Sequence, residues 1–415
     1  MTRKSYIFNG IKDLCSGCGA CVQICPHSAM SMQPDQEGFI FPTIDESKCI
    51  GCGACDRTCP VVNNDRSNQY NDQISFIATT NIERYYKESA TIGICTMVAE
   101  NVLRSGGVVY GAYLDEKCWK AYHIKLTEIN DLGKIRNSKY LQSETRETFK
   151  EVKKCLVDGQ TVLYIGTPCQ IAGLKSFLNR DFSNLYTIDI ICHGVFSPKL
   201  MPLEVNYWEK KFNAKVINFK FRSKRKYKHV NGGMVNFDLV MKNGELKHIE
   251  RFAGSSPSYK AYAYSGDGLN YNLRLSCYSC RFRAKGRYGD ISVGDPWFVE
   301  NRNIENKSLD SHNCIRSIFS VNSDKGRDLF SNISDNLLFE QLDMEVSFCQ
   351  PAVKMQKRKC SEIRASLYSR INNEEYSSVI EDLLQCNLEK EHITFEKLYY
   401  KNRIKRFLKK ILLFK

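Results

Sequence analysis

Thr161-Val-Leu-Tyr-Ile-Gly-Thr-Pro-Cys169, followed by Gln170 to Leu178 and then by Leu185-Tyr-Thr-Ile-Asp-Ile-Ile-Cys-His-Gly194, reads as strand, turn, helix and second strand. The apolar runs are short and rich in β-branched residues, and Gly166-Thr-Pro ends the first of them before a helical stretch. A βαβ unit of this kind predicts parallel strands that can lie side by side. Cys169 and Cys192 would then stand at one carboxyl edge, about 5 Å apart from strand to strand, at the edge where open α/β sheets hold ligands. Outward from this unit the alternation continues. Ile74 to Thr79 and Val108 to Tyr113 are strand-like, and Gly93 to Arg104 places Ile94, Met97, Val98 and Val102 on one helical face before a stop at Gly106-Gly107. Thr145 to Val157 is helical up to Gly159, and together these runs describe an α/β domain.

Cys277-Tyr-Ser-Cys280 supplies the other half of a four-cysteine site with Cys169 and Cys192. Spacing alone leaves three readings open there: a [4Fe-4S] cluster, a zinc ion, or unconnected structural cysteines. The N-terminus is more specific. Cys15-Ser-Gly-Cys18-Gly-Ala-Cys21-Val-Gln-Ile-Cys25-Pro26 recurs as Cys49-Ile-Gly-Cys52-Gly-Ala-Cys55-Asp-Arg-Thr-Cys59-Pro60. Three thiolates at i, i+3 and i+6 wrap one cluster, and the fourth cysteine of each run reaches the other cluster. That general rule groups Cys15, Cys18, Cys21 and Cys59 on one [4Fe-4S] centre and Cys49, Cys52, Cys55 and Cys25 on the second. Structural zinc more often uses two separated C-x2-C pairs. This stretch resembles a bacterial two-cluster ferredoxin. The polar run Asn63 to Asn68 reads as a linker, which divides the chain into residues 1–65, 66–396 and a tail, 397–415.

Composition is that of a globular protein rather than a disordered chain or a fibrous repeat. The 415 residues are 42% hydrophobic and 26% charged, and the first residues lack the apolar core of a secretory signal. The expectation is therefore the reducing cytoplasm, where those of the 19 cysteines that fall in regular clusters serve metal rather than disulfides. The net charge of +14 is unevenly spread: residues 1–65 carry −2 and residues 397–415 carry +8. No Walker loop, hydrolase elbow or G-x-G-x-x-G fingerprint is present.

Gly166-Thr-Pro-Cys-Gln-Ile-Ala-Gly173, Ile191-Cys-His-Gly-Val-Phe-Ser-Pro-Lys199, Ser138-Lys-Tyr-Leu-Gln-Ser143 and Cys277 to Cys280, continuing to Gly289-Asp-Ile-Ser-Val-Gly-Asp295, together carry a resemblance. The chain resembles the coenzyme F420 hydrogenase/dehydrogenase beta-subunit family over most of residues 75–355. The resemblance implies an α+β ferredoxin-like domain fused to a larger α/β domain that binds FAD and iron-sulfur, with a third [4Fe-4S] cluster on Cys169, Cys192, Cys277 and Cys280. It implies an oxidoreductase passing electrons between clusters and a two-electron substrate through the flavin, that substrate being F420 or another molecule. Members near polysaccharide-synthesis genes add a glycan or nucleotide-sugar alternative, and a non-catalytic relay to a partner enzyme is another. The segments carried over for flavin are Ser138, Lys139, Tyr140, Gln142 and Ser143 with the helix start at Gly93. Taken alone, Lys139 and Tyr140 would be an ordinary exposed turn. Ser89-Ala-Thr-Ile-Gly93 departs from the family's S-S-S-G-G, and Ile92 is expected to alter flavin grip or substrate access; Pro296 replaces an aromatic residue before Trp297.

His193 has two readings, as the proton donor of the catalytic site and as a ring packed beside a cluster ligand. Asp290 and Asp295 flank a short strand and suit turn caps. The basic run Phe219 to Lys228 fits an anionic substrate, an acidic partner or a solvated strand end, with nucleic acid disfavoured. Ile404, Phe407, Leu408, Ile411 and Leu412 lie at helical spacing among lysines, which describes a basic amphipathic tail able to contact an inner membrane surface peripherally or to pack on its own domain. A redox protein or ferredoxin is the expected macromolecular partner. The seven cysteines outside these sets are expected to pack as small apolar side chains.

Overall fold

A computed structural model describes residues 12–63, 73–222, 233–265, 270–283, 286–297, 299–300, 303–310, 314–347, 349–350 and 360–413. Most of the predicted linker and the basic run from residue 223 onward lie outside the described residues. At the N-terminus, the antiparallel hairpin β1 (Met30–Pro34) and β2 (Ile40–Ile44) pairs Met30 with Ile44. Each cysteine run enters a one-turn helix, Ala20–Gln23 or Ala54–Thr58, through a left-handed glycine, Gly19 at φ 78° and Gly53 at φ 70°. The sequence repeat is thus a structural repeat, and glycine is needed where φ is positive.

The larger domain holds β3 (Ile74–Thr79), β4 (Val108–Asp115), β5 (Lys120–Leu126), β6 (Ser143–Glu144), β7 (Val162–Gly166) and β8 (Leu185–Ile190). A separate three-stranded sheet is built from β9 (Lys215–Lys220), β10 (Met234–Val240) and β11 (Leu246–Phe252). With β12 (Ile291–Gly294), β13 (Ser317–Val321) and β14 (Leu338–Leu342), the main sheet runs β14-β3-β13-β12-β8-β7-β4-β5-β6. β7 and β8 are parallel neighbours, with Gly166 opposite Asp189. Cys169 and Cys192 each follow those paired residues by three positions, so they stand level at one edge.

Pairing directions put the carboxyl ends of β3, β4, β7, β8 and β12 on that same edge. Side-chain alternation explains the two faces. Val108, Tyr110 and Val162 turn toward helices Thr148–Val157 and Pro168–Leu178, while Val109 and Leu163 turn toward helix Ile94–Arg104. The latter helix buries Ile94, Met97, Val98 and Val102, its predicted apolar face. Ile92 is fully buried in the same core, so any effect on a ligand would pass through the backbone of the helix start rather than through its side chain. The β7 helix begins at Pro168 rather than Gln170, because Thr167 and Gln170 close a capping box; Cys169 therefore occupies its first turn.

The basic tail belongs to a longer helix, Leu388–Leu413. Its first half packs on the small sheet, with Phe395 stacked on Phe252 at 4.6 Å and Glu391 paired with Lys260 at 2.6 Å, whereas Ile404 is 59% exposed. Among the described residues no helix is long and apolar enough to cross a membrane. Of the seven remaining cysteines only Cys155 is fully buried, while Cys118 and Cys360 are exposed, which corrects the expectation of uniform apolar packing.

Candidate functional site

The two cysteine runs have different surroundings. Cys15, Cys18, Cys21 and Cys59 line one small cavity together with Pro42, Pro60 and Val61, and all four are buried. Cys59, from the second run, therefore joins the first triad in space. Cys49 and Cys55 are half-buried, Cys52 is exposed, and Ile50 between them is 66% exposed. Burial and neighbouring sulfurs push the Cys18 thiol up to about 12; Cys55, at the less enclosed run, reaches about 11 through burial and Asp56. Thiols this reluctant to ionise become ligands only when a metal core supplies compensating charge.

The buried set lies in the seam between domains. Thr145 Oγ1 donates to Cys18 O at 2.8 Å, and Gln23 Oε1 accepts from Phe149 N at 2.8 Å. Gln142 spans to β2, its Oε1 accepting from Ile40 N at 2.9 Å. Arg274, 1% exposed, donates through Nε to Cys15 O at 2.7 Å and through Nη1 to Ile40 O at 3.0 Å. On the far side Arg364 pairs with Glu37, and Arg281 donates to Val61 O at 2.9 Å.

Next to this seam, Cys169, Cys192, Cys277 and Cys280 line a second cavity. Leu14 and Ser16 of the N-terminal domain form part of its wall, so the residues flanking Cys15 separate the two cysteine-lined spaces. Among the described residues no three His, Cys, Asp or Glu side chains close around a single metal ion. The four sulfurs border a space instead. Burial and mutual repulsion raise Cys169 well above its usual value, and the same causes push Cys192 up to about 12. Arg283, 4% exposed, reaches this cavity; Nη2 donates to His193 O at 3.1 Å, while Nη1 has no partner among the described residues. A buried guanidinium nitrogen left unmatched costs several kcal/mol, and an anionic cluster of thiolates is the group that would match it. Thr167 Oγ1 lies 3.1 Å from Cys169 Sγ. The fully buried pair Arg287–Asp189, 2.7 Å apart, ties the segment after Cys280 to the end of β8.

Aromatic rings lead from this cavity to the segments singled out for flavin. His193 tilts against Tyr262 at 5.2 Å, and Tyr262 against Tyr140 at 5.1 Å. Asn270 Nδ2 lies 2.9 Å from His193 Nε2 and 2.6 Å from Tyr262 O, donating to both and making His193 an acceptor there. Tyr140 is packed among Phe221, Tyr259 and Tyr262, and Lys139 Nζ donates to Arg136 O at 2.7 Å; neither belongs to an ordinary exposed turn. Burial, with Lys220 nearby, pulls Lys139 down to about 7. Lys220 pairs with Glu88, which brings the loop before Gly93 to the same place. Arg222 holds Asp295 with contacts of 2.8 and 2.6 Å, yet its Nε and Nη2 are buried without partners among the described residues. Arg136 Nε is in the same state. These orphaned cationic donors suit the phosphates of a dinucleotide.

Other flavin candidates have local duties. Gly93 is left-handed, and a Cβ there would meet Tyr85 O at 2.6 Å, so the loop itself requires glycine. Gln142 is committed to the domain seam rather than to a cofactor space. Ser143 Oγ lies 3.0 Å from His123 Nδ1, whose Nε2 contacts Ile165 O at 3.1 Å; burial takes that imidazole down to about 4. Ser138 acts on Tyr140 through a side-chain hydrogen bond. Asp290 accepts from Thr187 N and Oγ1 at 2.8 and 2.7 Å and is structural, whereas Asp295 is the partner of Arg222 rather than a turn cap. Arg274, Arg283, Arg287, Tyr262 and Asn270 were not singled out in the sequence; only the basic spacing after Cys280 hints at Arg283 and Arg287.

Comparison with known proteins follows the same division. Residues 159–346 match the family described as the C terminus of the coenzyme F420 hydrogenase/dehydrogenase beta subunit. Residues 14–63 and 41–93 match 4Fe-4S dicluster domains. A curated relative, the coenzyme F420-dependent sulfite reductase of Methanocaldococcus jannaschii, is 25% identical over 249 residues, 54% of this chain and 38% of that protein. This chain thus spans well under half of the relative it matches. One chain of the F420-reducing [NiFe] hydrogenase complex of Methanosarcina barkeri, studied by xenon derivatization, aligns with 74% of this chain and 96% of its own length, at 18% identity and a TM-score of 0.43.

Proposed function

We propose that this chain, which joins a 4Fe-4S dicluster domain to the C-terminal domain of a coenzyme F420 hydrogenase/dehydrogenase beta subunit, is an iron-sulfur oxidoreductase that exchanges electrons with a two-electron substrate through FAD. The observation that carries the reading is the cavity lined by Cys169, Cys192, Cys277 and Cys280, cysteines from three separate segments, with Leu14 and Ser16 of the dicluster domain in its wall. Such a space has no evident use in a domain that merely packs on a ferredoxin. It suits a third cluster placed to exchange electrons with the first two.

In this reading Cys15, Cys18, Cys21 and Cys59 hold an inner cluster, and Cys49, Cys52, Cys55 and Cys25 an outer one nearer solvent. Arg283 offsets the charge of the third set. His193 and Tyr262 fill the interval between Cys192 and Tyr140, and His193 acts there by position. Lys139, Arg136 and Arg222 hold the flavin's phosphates. FAD supplies the step between one-electron and two-electron chemistry. A soluble one-electron carrier protein is the partner at the outer set. F420, named for the curated relative, is the first substrate to try.

Iron, acid-labile sulfide, zinc and flavin measured per anaerobically purified chain test the proposal. Three clusters require about 12 Fe and no zinc, with one flavin. About 8 Fe with one zinc would remove the third cluster, and a chain that takes up no flavin on reconstitution would be a relay rather than the enzyme proposed.

A further inference from the structure

Arg274 is the most deeply buried cation without a counter-ion in the seam. At 1% exposure it has no carboxylate partner among the described residues. Its guanidinium lies 3.8 Å from the Phe41 ring centroid, and a Cβ on Gly17 would meet its Cζ at 3.2 Å, so it sits against the backbone between Cys15 and Cys18. Its polar contacts are Cys15 O, Ile40 O and Gln142 Oε1, all neutral acceptors, and Nη2 is left over. Three residues on, Cys277 opens the C-x2-C pair of the neighbouring site.

We infer that Arg274 sets the reduction potential of the inner cluster, making the buried set as easy to reduce as the exposed one. This rests on the ligand grouping in the proposed function. Four thiolates around a doubly positive core leave a net charge of about −2, and reduction adds one electron and no proton. Burial alone opposes that added charge and would make the inner set harder to reduce than the outer. A fixed cation in a low-dielectric seam acts in the opposite direction. Among the described residues, the guanidinium bonded to the outer run is that of Arg57, which is exposed and donates to Cys52 O at 3.1 Å. One electron from a reduced carrier protein can then move from the outer to the inner set without an uphill step imposed by burial.

The test is an anaerobic potentiometric titration of the full chain, followed by electron paramagnetic resonance, with iron and sulfide assayed in each sample. Arg274→Gln should move the inner cluster's midpoint to lower potential while the outer midpoint stays in place; Arg274→Lys, which keeps the charge, should move it less. Gln142→Glu, which puts a carboxylate where Oε1 now lies 3.1 Å from Arg274 Nη1, should lower the same midpoint and is the deciding variant if Arg274→Gln loses iron. An unchanged inner midpoint in an iron-replete Arg274→Gln or Gln142→Glu sample overturns the inference, as does an equal shift of both midpoints. Loss of the inner cluster from both Arg274→Gln and Gln142→Glu also overturns it, since the seam would then serve assembly rather than potential. Iron content near 8 or near 12 per chain separately reports the fate of the third cluster.

Discussion

The two halves of the N-terminal repeat share every cysteine, both prolines and the glycines that admit positive φ, yet one half is enclosed by the large domain and the other faces outward. Spacing specifies which atoms bind a cluster. Surroundings specify what the cluster can do. The inner half meets Thr145, Gln142, Arg274 and Gly173, where a Cβ would lie 2.9 Å from Cys18 Sγ; the outer half bonds to its own Arg57 and Asn63 and touches the large domain through helix Ala54–Thr58 and through Cys59, leaving Cys52 exposed. Identical motifs therefore become a buried seam element and a solvent-facing one.

The largest expected effect that would sharpen this contrast comes from the ligands. Cys18→Ala should strip the inner cluster and leave Arg274 buried without compensation, lowering stability by about 3–5 kcal/mol. Cys52→Ala should remove iron at the exposed half with a clearly smaller fall in the denaturant midpoint, and equal falls would break the contrast. Next in size is the pair of equivalent glycines. Alanine at either position meets the left-handed penalty of about 1 kcal/mol. Gly19→Ala also drives a Cβ to 2.5 Å from Thr145 Oγ1, whereas Gly53→Ala meets only the flexible Arg57 Nη1 at 3.2 Å. Urea unfolding should therefore show Gly19→Ala the more destabilised by about 1–3 kcal/mol, and equal losses would mean that the seam yields freely.

The smallest expected effect concerns the far end of the route, at Lys139. Its folded-state pKa is depressed to about 7 by burial and Lys220, so between about pH 7 and its ordinary value near 10.5 the unfolded chain holds a proton that the folded chain lacks. Stability from this group therefore rises with pH across that window and is lowest below it. A bound phosphate favours the ammonium form and should draw in a proton. Calorimetry of FAD binding near pH 8, in buffers of different ionisation enthalpy, should register net proton uptake and an affinity that weakens as pH rises. Lys139→Met should abolish the uptake, and uptake persisting in that variant would place the flavin phosphates elsewhere.

Much of this arrangement was legible in the sequence because it rests on local pattern. The βαβ unit followed from Thr161 to Gly194, and the level positions of Cys169 and Cys192 followed from parallel pairing. Helix Pro168–Leu178 starts two residues ahead of Gln170 because the Thr167–Gln170 capping box sets its first turn. Ile92 stands where the pattern has a glycine, yet it belongs to one core with Val98 of a helix and Phe319 of a distant strand, and nothing local reports that burial. Arg274, Arg283 and Tyr262 went unseen for the same reason. Each acts across more than 65 residues of chain, on Cys15, His193 and Tyr140 or His193 respectively.

The route itself, from the exposed half of the repeat through the seam to the cysteine-lined cavity and on to flavin, is tested most directly by one comparison. Reconstituted wild-type chain and Cys277→Ser are mixed anaerobically with a reduced one-electron carrier protein, and iron-sulfur and flavin absorbance are followed together. Flavin should be reduced after the ferredoxin clusters in the wild type, and in Cys277→Ser those clusters should still reduce while the flavin stays oxidised. Flavin reduction at the wild-type rate in Cys277→Ser would contradict this route.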